Sequence, residues 1–207
     1  MVTEAQRPFE AVVLAAGAAR RFGGGKLVAP FEGGVVLDGA LAAAFAAPVG
    51  RVIVVTGADA DPVAVAALAF AERADQAGRL VLVHAADHAE GMGASLRAGA
   101  AAVRADAAGA FVFLGDMPRI PHAVLAPLAE AIRAGAAAAA PVFQGRRGHP
   151  AVFARELVPA LRGLGGDEGA RAVLAGLGGR LALVQAPDAG VLFDVDTPKD
   201  LASGLDS

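Results

Sequence analysis

A glycine-rich, positively charged stretch follows the first short apolar run of the chain, in LAAGAARRFGGGKL (14–27). It holds four glycines together with Arg20, Arg21 and Lys26, and no acidic residue occurs within residues 11–31. A glycine-rich turn lets backbone N–H groups approach phosphate oxygens without obstruction by Cβ atoms. Three cations without a counter-charge repel one another until an anion arrives. We therefore expect this loop to bind phosphate.

Carboxylates at predicted strand ends form a second candidate site. Asp116 ends the apolar run AFVFLGD (110–116), where its charge is poorly solvated unless a cation or backbone donors meet it. The alternative for Asp116 is a helix N-cap, with which Pro118 is compatible. Asp194 and Asp196 alternate along a predicted strand, so they would point to opposite faces and only one would reach a shared metal ion. The alternative for this pair is a turn that caps the last helix.

A second basic cluster, RRGH, occupies residues 146–149. A lone histidine in a loop is often a plain surface residue, but the arginines beside His149 favour an anion site. The phosphate of a second substrate would fit there, held by Arg147 and His149. With four scattered histidines and no cysteine, the sequence offers no zinc site.

Short β-branched runs alternate with alanine-rich stretches of helical length along the whole chain. The predicted strands are 11–16, 51–57, 79–85, 110–116 and 136–143, and the predicted helices are 37–47, 61–77, 93–105, 121–135 and a last one from Pro198. Such alternation implies right-handed crossovers and a mostly parallel sheet with helices on both faces. Ligands of these sheets bind beyond the carboxyl ends of the strands, where Gly17 and Asp116 stand.

Prolines mark three predicted helix starts. Asp61-Pro62 would be an N-cap followed by proline at the first helical position, and Ile120-Pro121 would begin the helix near 121–135 in the same way. Thr197-Pro198 would begin the last helix, with Asp200 completing a capping box.

Length and composition limit the function classes. The 207 residues fit one domain, 1–207, and 56% hydrophobic against 19% charged residues are typical of a globular protein with a full core. The absence of cysteine excludes thiolate catalysis and agrees with a cytoplasmic location. A net charge of −3 argues against general nucleic-acid binding, and no apolar tract is long enough to predict a membrane span.

Two common phosphate loops are excluded by spacing. Counting back from Lys26, a Walker A loop needs glycine at position 20, which is Arg20, and Ser or Thr at position 27, which is Leu27. A dinucleotide fingerprint needs a second glycine two residues after Gly17, where Ala19 stands.

The same stretch resembles the L-A-[AG]-G-x-S-x-R-[MF]-G-x-x-K signature of the nucleotidyltransferases related to molybdenum cofactor cytidylyl- and guanylyltransferases. Gly17, Arg21, Gly23 and Lys26 match position by position, and Ala19 stands where the signature has Ser. Further segments resemble this family: EGMGASLRAG (90–99), LGDMP (114–118), GRRGHPAVF (145–153), GDEGAR (166–171) and DVDTPKDL (194–201). A family Asn that usually precedes the second glycine segment is replaced here by Ala85.

The resemblance implies a fold and a set of site residues. The fold would be a Rossmann-like three-layer αβα sandwich of the nucleotide-diphospho-sugar transferase type. Lys26, Arg21 and Asp116 would be catalytic, and Asp116 with Asp196 would hold Mg²⁺, with Mn²⁺ as an alternative. The nucleotide-binding residues would be Leu14, Ala15, Ala16, Gly17, Arg21, Lys26, Gly91 and Ser95. Arg147 and His149 would serve the second substrate, whereas Asp167 and Arg171 are left outside the catalytic set.

The implied reaction is transfer of CMP from CTP to the terminal phosphate of molybdopterin, with release of pyrophosphate. Cytidylyl members tend to read LAAG and guanylyl members LAGG, so Ala16 favours CTP, although GTP stays open. Two other functions are kept as alternatives: activation of a sugar or polyol phosphate, and a non-catalytic carrier of the finished cofactor. The implied partners are the nucleotide, the molybdopterin-type cofactor and a recipient molybdoenzyme.

Overall fold

An eight-stranded mixed sheet and a two-stranded hairpin organise the protein, whose computed structural model describes residues 7–19 and 21–202. The strands are β1 (Phe9–Ala15), β2 (Pro30–Phe31), β3 (Gly34–Val35), β4 (Val49–Thr56), β5 (Leu80–His84), β6 (Gly109–Leu114), β7 (Ala138–Phe143), β8 (Arg146–Arg147), β9 (Ala151–Ala154) and β10 (Leu181–Gln185). The α-helices are α1 (Val36–Ala46), α2 (Ala60–Arg73), α3 (Met92–Ala102), α4 (Leu125–Arg133), α5 (Val158–Arg162), α6 (Ala170–Ala175) and α7 (Pro198–Ala202).

The large sheet has the order β10-β7-β9-β6-β1-β4-β5, and β8 pairs with β7. Strands β4, β1 and β6 run parallel in the centre, and β5 and β10 are parallel to their neighbours at the two edges. In the described part of this sheet, only the pairings of β9 and β8 are antiparallel. The carboxyl ends of β1, β4 and β6 therefore meet at one edge, where a ligand of an α/β protein is expected.

Helices cover both faces of the sheet because side chains of each strand alternate between the faces. Val13 and Phe113 point into a core shared with α1, α2 and α4. On the opposite face, Val12 belongs to a cluster against which partly buried Ala98 and Ala102 of α3 pack. Val112 belongs to a second cluster on this face, together with Leu96 and residues of α5 and α6. These three layers confirm the predicted αβα sandwich. Within the described part of the chain, no helix is long and apolar enough to cross a membrane.

The predicted helix starts are confirmed in one case and wrong in two. Helix α2 begins at Ala60, with Asp59 at the N-cap position. Proline is tolerated in the first turn of a helix, so Pro62 does not prevent this earlier start. Asp61-Pro62 therefore lies within the helix. Pro121 precedes a short 3₁₀ turn, and α4 begins only at Leu125. Helix α7 begins at Pro198 as predicted, and the Asp200 carboxylate accepts the Thr197 N–H at 2.6 Å. Only this half of the predicted capping box forms, because the Thr197 hydroxyl donates to the same carboxylate and the Asp200 N–H donates to Thr197 O.

Candidate active site

The glycine-rich loop after β1 is a tight turn built around one carbonyl oxygen. Ala19 O accepts the N–H groups of Phe22, Gly23 and Gly24 at 2.9, 3.1 and 3.3 Å. Gly23, Gly24 and Gly25 all have positive φ, a conformation that side-chain-bearing residues rarely adopt. The turn leads directly to Lys26, which begins a 3₁₀ turn. Arg20, which the sequence placed among the loop cations, lies outside the described residues.

Asp59 holds the end of this loop in place. Its carboxylate accepts the Gly25 N–H at 3.1 Å, across 34 positions of sequence. The contact ties the residue immediately before Lys26 to the start of α2. Sequence reasoning missed the role of Asp59. The one feature of the sequence that could have pointed to Asp59 is its position just before the proline-containing start of a helix.

Lys26 lies between two of the predicted acidic site residues. Its Nζ is 2.6 Å from Asp116 Oδ2 and 3.7 Å from Asp196 Oδ1, and its side chain is only 12% exposed. Arg21 Nη1 approaches the same Asp196 carboxylate at 3.5 Å, but the Arg21 side chain is 83% exposed. Loop cations and strand-end carboxylates predicted from separate segments therefore converge on one point.

The segment that carries Asp194 and Asp196 belongs to no strand. The Val195 N–H donates to Asp116 O at 2.9 Å, which fixes this segment to the end of β6. Asp196 faces Lys26, whereas Asp194 lines the adjacent cavity. Desolvation by burial, followed by repulsion from Asp196 and Asp116, raises the pKa of Asp194. The prediction that the two carboxylates form a strand was wrong, although they do point in different directions.

The site has more carboxylates than buried cations, and this donor chemistry suits a hard divalent cation. Asp116 and Asp196 lie close enough to Asp194 to help raise its pKa, and Lys26, whose side chain is largely buried, lies beside Asp116. Within residues 7–19 and 21–202, no three His, Asp or Glu side chains form a preformed metal cage. The remaining ligands would have to come from substrate phosphates and water, as Mg²⁺ prefers.

A cavity of about 600 Å³ opens beside the carboxylates. Its wall includes Leu114 and Met117, which flank Asp116 in the chain, and Asp194. The apolar part of the wall comes from both sides of the sheet end: Leu14, Met92, Leu96, Val112, Leu174 and Val191. The charged part comes from β8, from the loop before α6 and from the first turn of α6: Arg146, Arg147, Asp167, Glu168 and Arg171.

His149 also lines this cavity, and it is neutral at physiological pH. Its pKa is lowered to about 4, mainly by desolvation on burial and in smaller part by Arg171 and Arg147, against the opposing effect of Asp116. The Nδ1 atom is buried without a hydrogen-bond partner among the described residues. Any positive charge for an anion in this cavity therefore comes from the arginines, while His149 offers a neutral imidazole.

The first turn of α3 forms one side of the cavity. The Gly93 N–H donates to Gly166 O at 2.8 Å, and a Cβ on Gly91 would lie 2.4 Å from both Gly166 O and Asp167 Oδ1. Arg97 Nη1 donates to Leu164 O at 2.8 Å. The predicted nucleotide-binding residue Gly91 is thus packed against the GDEGAR segment, a contact that sequence reasoning missed. The other predicted residue of this segment, Ser95, is buried within α3.

A scan of the chain matches the MobA-like NTP transferase domain over residues 11–184. This match covers most of β1, every strand from β2 to β9 and most of β10. The chain belongs to the MobA-like NTP transferase family. The predicted family is therefore confirmed, and the protein is a nucleotidyltransferase of this family.

Relatives of this MobA-like protein agree in length and fold. Purine catabolism protein PucB of Bacillus subtilis is 31% identical, covering 91% of this chain and 92% of its own. Molybdenum cofactor cytidylyltransferase of Escherichia coli is 27% identical, with 92% of each chain covered. The crystal structure of Rv0371c from Mycobacterium tuberculosis has a TM-score of 0.75 at 29% identity, covering 97% of this chain and 98% of its own. A second structure of that protein is a complex with manganese, with a TM-score of 0.73 at 28% identity, covering 97% and 99% of the two chains.

The predicted base-binding residues of this MobA-like protein are largely buried. Ala15 and Ala16 are only 2% and 3% exposed, and Gly17 is exposed at the start of the loop. The Ala16 methyl group packs toward Gly57, where an added Cβ would lie 2.7 Å away. Any effect of Ala16 on base selection would therefore act through the position of its backbone rather than through direct contact of the methyl group.

Proposed function

We propose that this protein transfers CMP from CTP to the terminal phosphate of molybdopterin and releases pyrophosphate. An acceptor phosphate oxygen forms a new P–O bond to the α-phosphorus of CTP, and the bond between the α-phosphorus and the bridging oxygen to the β-phosphate breaks. The observation that carries the proposal is Lys26 held 2.6 Å from Asp116, whose chain neighbour Met117 lines an arginine-containing cavity.

The triphosphate would lie over the loop of residues 17–26. Lys26 and Arg21 would neutralise charge on the leaving pyrophosphate, where electrostatic stabilisation has its largest effect. The carboxylates of Asp116 and Asp196 would hold Mg²⁺ or Mn²⁺, and the ion would supply positive charge to the substrate phosphates. Support for this metal class comes from the carboxylate excess and from the M. tuberculosis relative that was crystallised with manganese.

The acceptor would occupy the cavity beside Asp116 and Asp194. Its apolar wall suits a flat heterocycle, and Arg146, Arg147 and Arg171 suit the terminal phosphate. A phosphate nucleophile is ionised at neutral pH, so the reaction requires orientation of two substrates rather than a general base. A neutral His149 agrees with a role in binding and not in proton transfer.

CTP and molybdopterin are chosen because the E. coli relative, similar over 92% of this chain, is named a molybdenum cofactor cytidylyltransferase. The test is pyrophosphate release from CTP or GTP with molybdopterin and Mg²⁺. Turnover with CTP that is lost in Lys26→Ala and Asp116→Ala supports the proposal. Arg180→Ala, which removes an exposed ion pair with Glu156, is the control.

Two results would count against the proposal. Turnover with GTP alone would retain the mechanism and reject the cytidylyl assignment. Absence of pyrophosphate release together with undiminished delivery of finished cofactor by both variants would indicate a carrier instead of an enzyme.

A further inference from the structure

The arginines without partners are concentrated in two places. Of the 15 arginines within the described residues, ten side chains have hydrogen-bond or ion-pair partners there. The remaining five, for which the described part of the chain supplies no partner, are Arg7, Arg146, Arg147, Arg155 and Arg171. Three of them line the acceptor cavity, and the other two, Arg7 and Arg155, line a separate cleft.

This second cleft, here called the basal cleft, has a volume of about 730 Å³. Its apolar floor includes Phe9, Ile132 and Ala154, and its rim carries Arg7 and Arg155. Phe9 begins β1, and Ala154 pairs with Gly109 at the start of β6. The basal cleft therefore lies at the amino ends of these strands, while Asp116 follows their carboxyl ends. Six residues of β6 separate the two sites by about 20 Å.

The other charges of the basal cleft are already neutralised. Arg133 forms an ion pair with Glu130 at 2.6 Å, and its guanidinium lies 5.4 Å from the centroid of the Phe9 ring. Glu156 forms an ion pair with Arg180 at 3.2 Å. Within residues 7–19 and 21–202, no carboxylate thus compensates the two positive charges at the rim, on Arg7 and Arg155, in a protein whose net charge is −3.

We propose that the basal cleft binds a small phosphate monoester. A dianionic phosphate group matches the two unpaired guanidinium groups in charge, and guanidinium forms paired hydrogen bonds with phosphate oxygens. The apolar floor matches a ring or short chain attached to the phosphate. Because the length of β6 separates the basal cleft from Asp116, the basal cleft would be a second ligand site, apart from those of the nucleotide and the acceptor.

The direct test is calorimetric titration of the full chain with phenyl phosphate, which carries a planar ring and a dianion. The test variant is the double substitution Arg7→Ala with Arg155→Ala. The matched control is the double substitution Arg146→Ala with Arg147→Ala, which removes two arginines from the acceptor cavity for which the described residues supply no partner. We expect the basal double variant to weaken binding about tenfold per arginine. The control should retain a basal binding event, and amide NMR signals of Ala108 and Ala154 should shift on titration.

Two comparison ligands test the chemistry. Inorganic phosphate should bind more weakly than phenyl phosphate because it cannot cover the apolar floor, and benzoate should bind more weakly because it carries one charge. Failure of phenyl phosphate to shift Ala108 and Ala154 would overturn the proposal. Equal binding by wild type and by the basal double variant would overturn it as well.

Discussion

Lys26 Nζ lies 2.6 Å from Asp116 Oδ2, although 90 positions separate the two residues in the sequence. The contact joins the glycine-rich loop after β1 to the end of β6, and Asp196 approaches the same Nζ from a third segment. Replacement of Lys26 by alanine removes the largely buried cation that we expect to stabilise the leaving pyrophosphate.

We therefore expect Lys26→Ala to lower kcat/KM about 10²–10³-fold, the effect typical of losing one charge-stabilising group. The measurement is steady-state pyrophosphate release, with circular dichroism to verify the fold. An unchanged kcat/KM in a folded Lys26→Ala protein would contradict the assigned role.

Conversion of each site carboxylate to an amide should change the metal requirement in a fixed order. Asp116→Asn should raise the Mg²⁺ concentration for half-maximal activity most, by about tenfold or more, because Asp116 is the less exposed ligand. Asp196→Asn should have a smaller effect because its side chain is half exposed. Asp194→Asn should have the least effect on this Mg²⁺ concentration, because Asp194 lines the cavity and does not face Lys26. A larger shift for Asp194→Asn than for Asp196→Asn would reverse the ligand assignment.

Burial of neutral His149 should make folding sensitive to acid. Its pKa is about 4 in the folded protein and about 6.5 in the unfolded chain, so the unfolded state binds more protons between these values. The free energy of unfolding should therefore fall by about 2–3 kcal/mol as the pH drops from 6.5 to 4. Above pH 6.5 the full contribution of neutral His149 to stability should be present.

Urea unfolding at several pH values measures this effect. His149→Gln should remove the acid-sensitive part of the profile, and His122→Gln, an exposed position, should retain it. An identical pH dependence in wild type and His149→Gln would show that other groups cause the acid sensitivity.

The sheet and its order of strands and helices were predictable because they depend on local patterns. β1, β4 and β6 are short β-branched runs that end close to where the sequence predicted. The antiparallel insertion of β9 between β6 and β7 was not predictable, since a run such as Ala151–Ala154 carries no signal for its direction. The start of α2 was also misplaced, because Asp59 and Asp61 are both chemically suitable N-cap residues.

Motif residues were easier to find than the residues that position them. Lys26, Asp116 and Asp196 have the residue types that phosphate and metal chemistry requires, and the structure brings them together. Asp59 and Gly166 act through a single hydrogen bond each to a distant backbone, Asp59 with Gly25 and Gly166 with Gly93. Such contacts follow from tertiary packing and leave no local pattern in the sequence.

Arg119 connects the hairpin after Lys26 with the segment before Asp194. Its guanidinium lies 4.6 Å from the Phe193 ring centroid and 5.5 Å from that of Phe31, and it donates two hydrogen bonds to Glu32 at 3.0 and 2.7 Å. Arg119→Ala should lower Tm by about 2–6 °C and raise the Mg²⁺ requirement, because cation–π contact and ion pair are lost together.

Glu32→Gln is the matched variant for Arg119, since it removes the ion pair and keeps the ring contacts. It should change Tm by less than Arg119→Ala and leave the Mg²⁺ requirement near that of wild type. Equal Mg²⁺ requirements for wild type and Arg119→Ala would limit Arg119 to a role in stability.

The most direct test of the central claim is calorimetric titration with CTP and with GTP, each with Mg²⁺, on wild type and on Lys26→Ala. The proposed function predicts that wild type binds CTP more tightly than GTP and that Lys26→Ala weakens CTP binding about tenfold or more. Failure of wild type to bind either nucleotide, or equal CTP binding by both proteins, would contradict the assignment of the glycine-rich loop to the triphosphate.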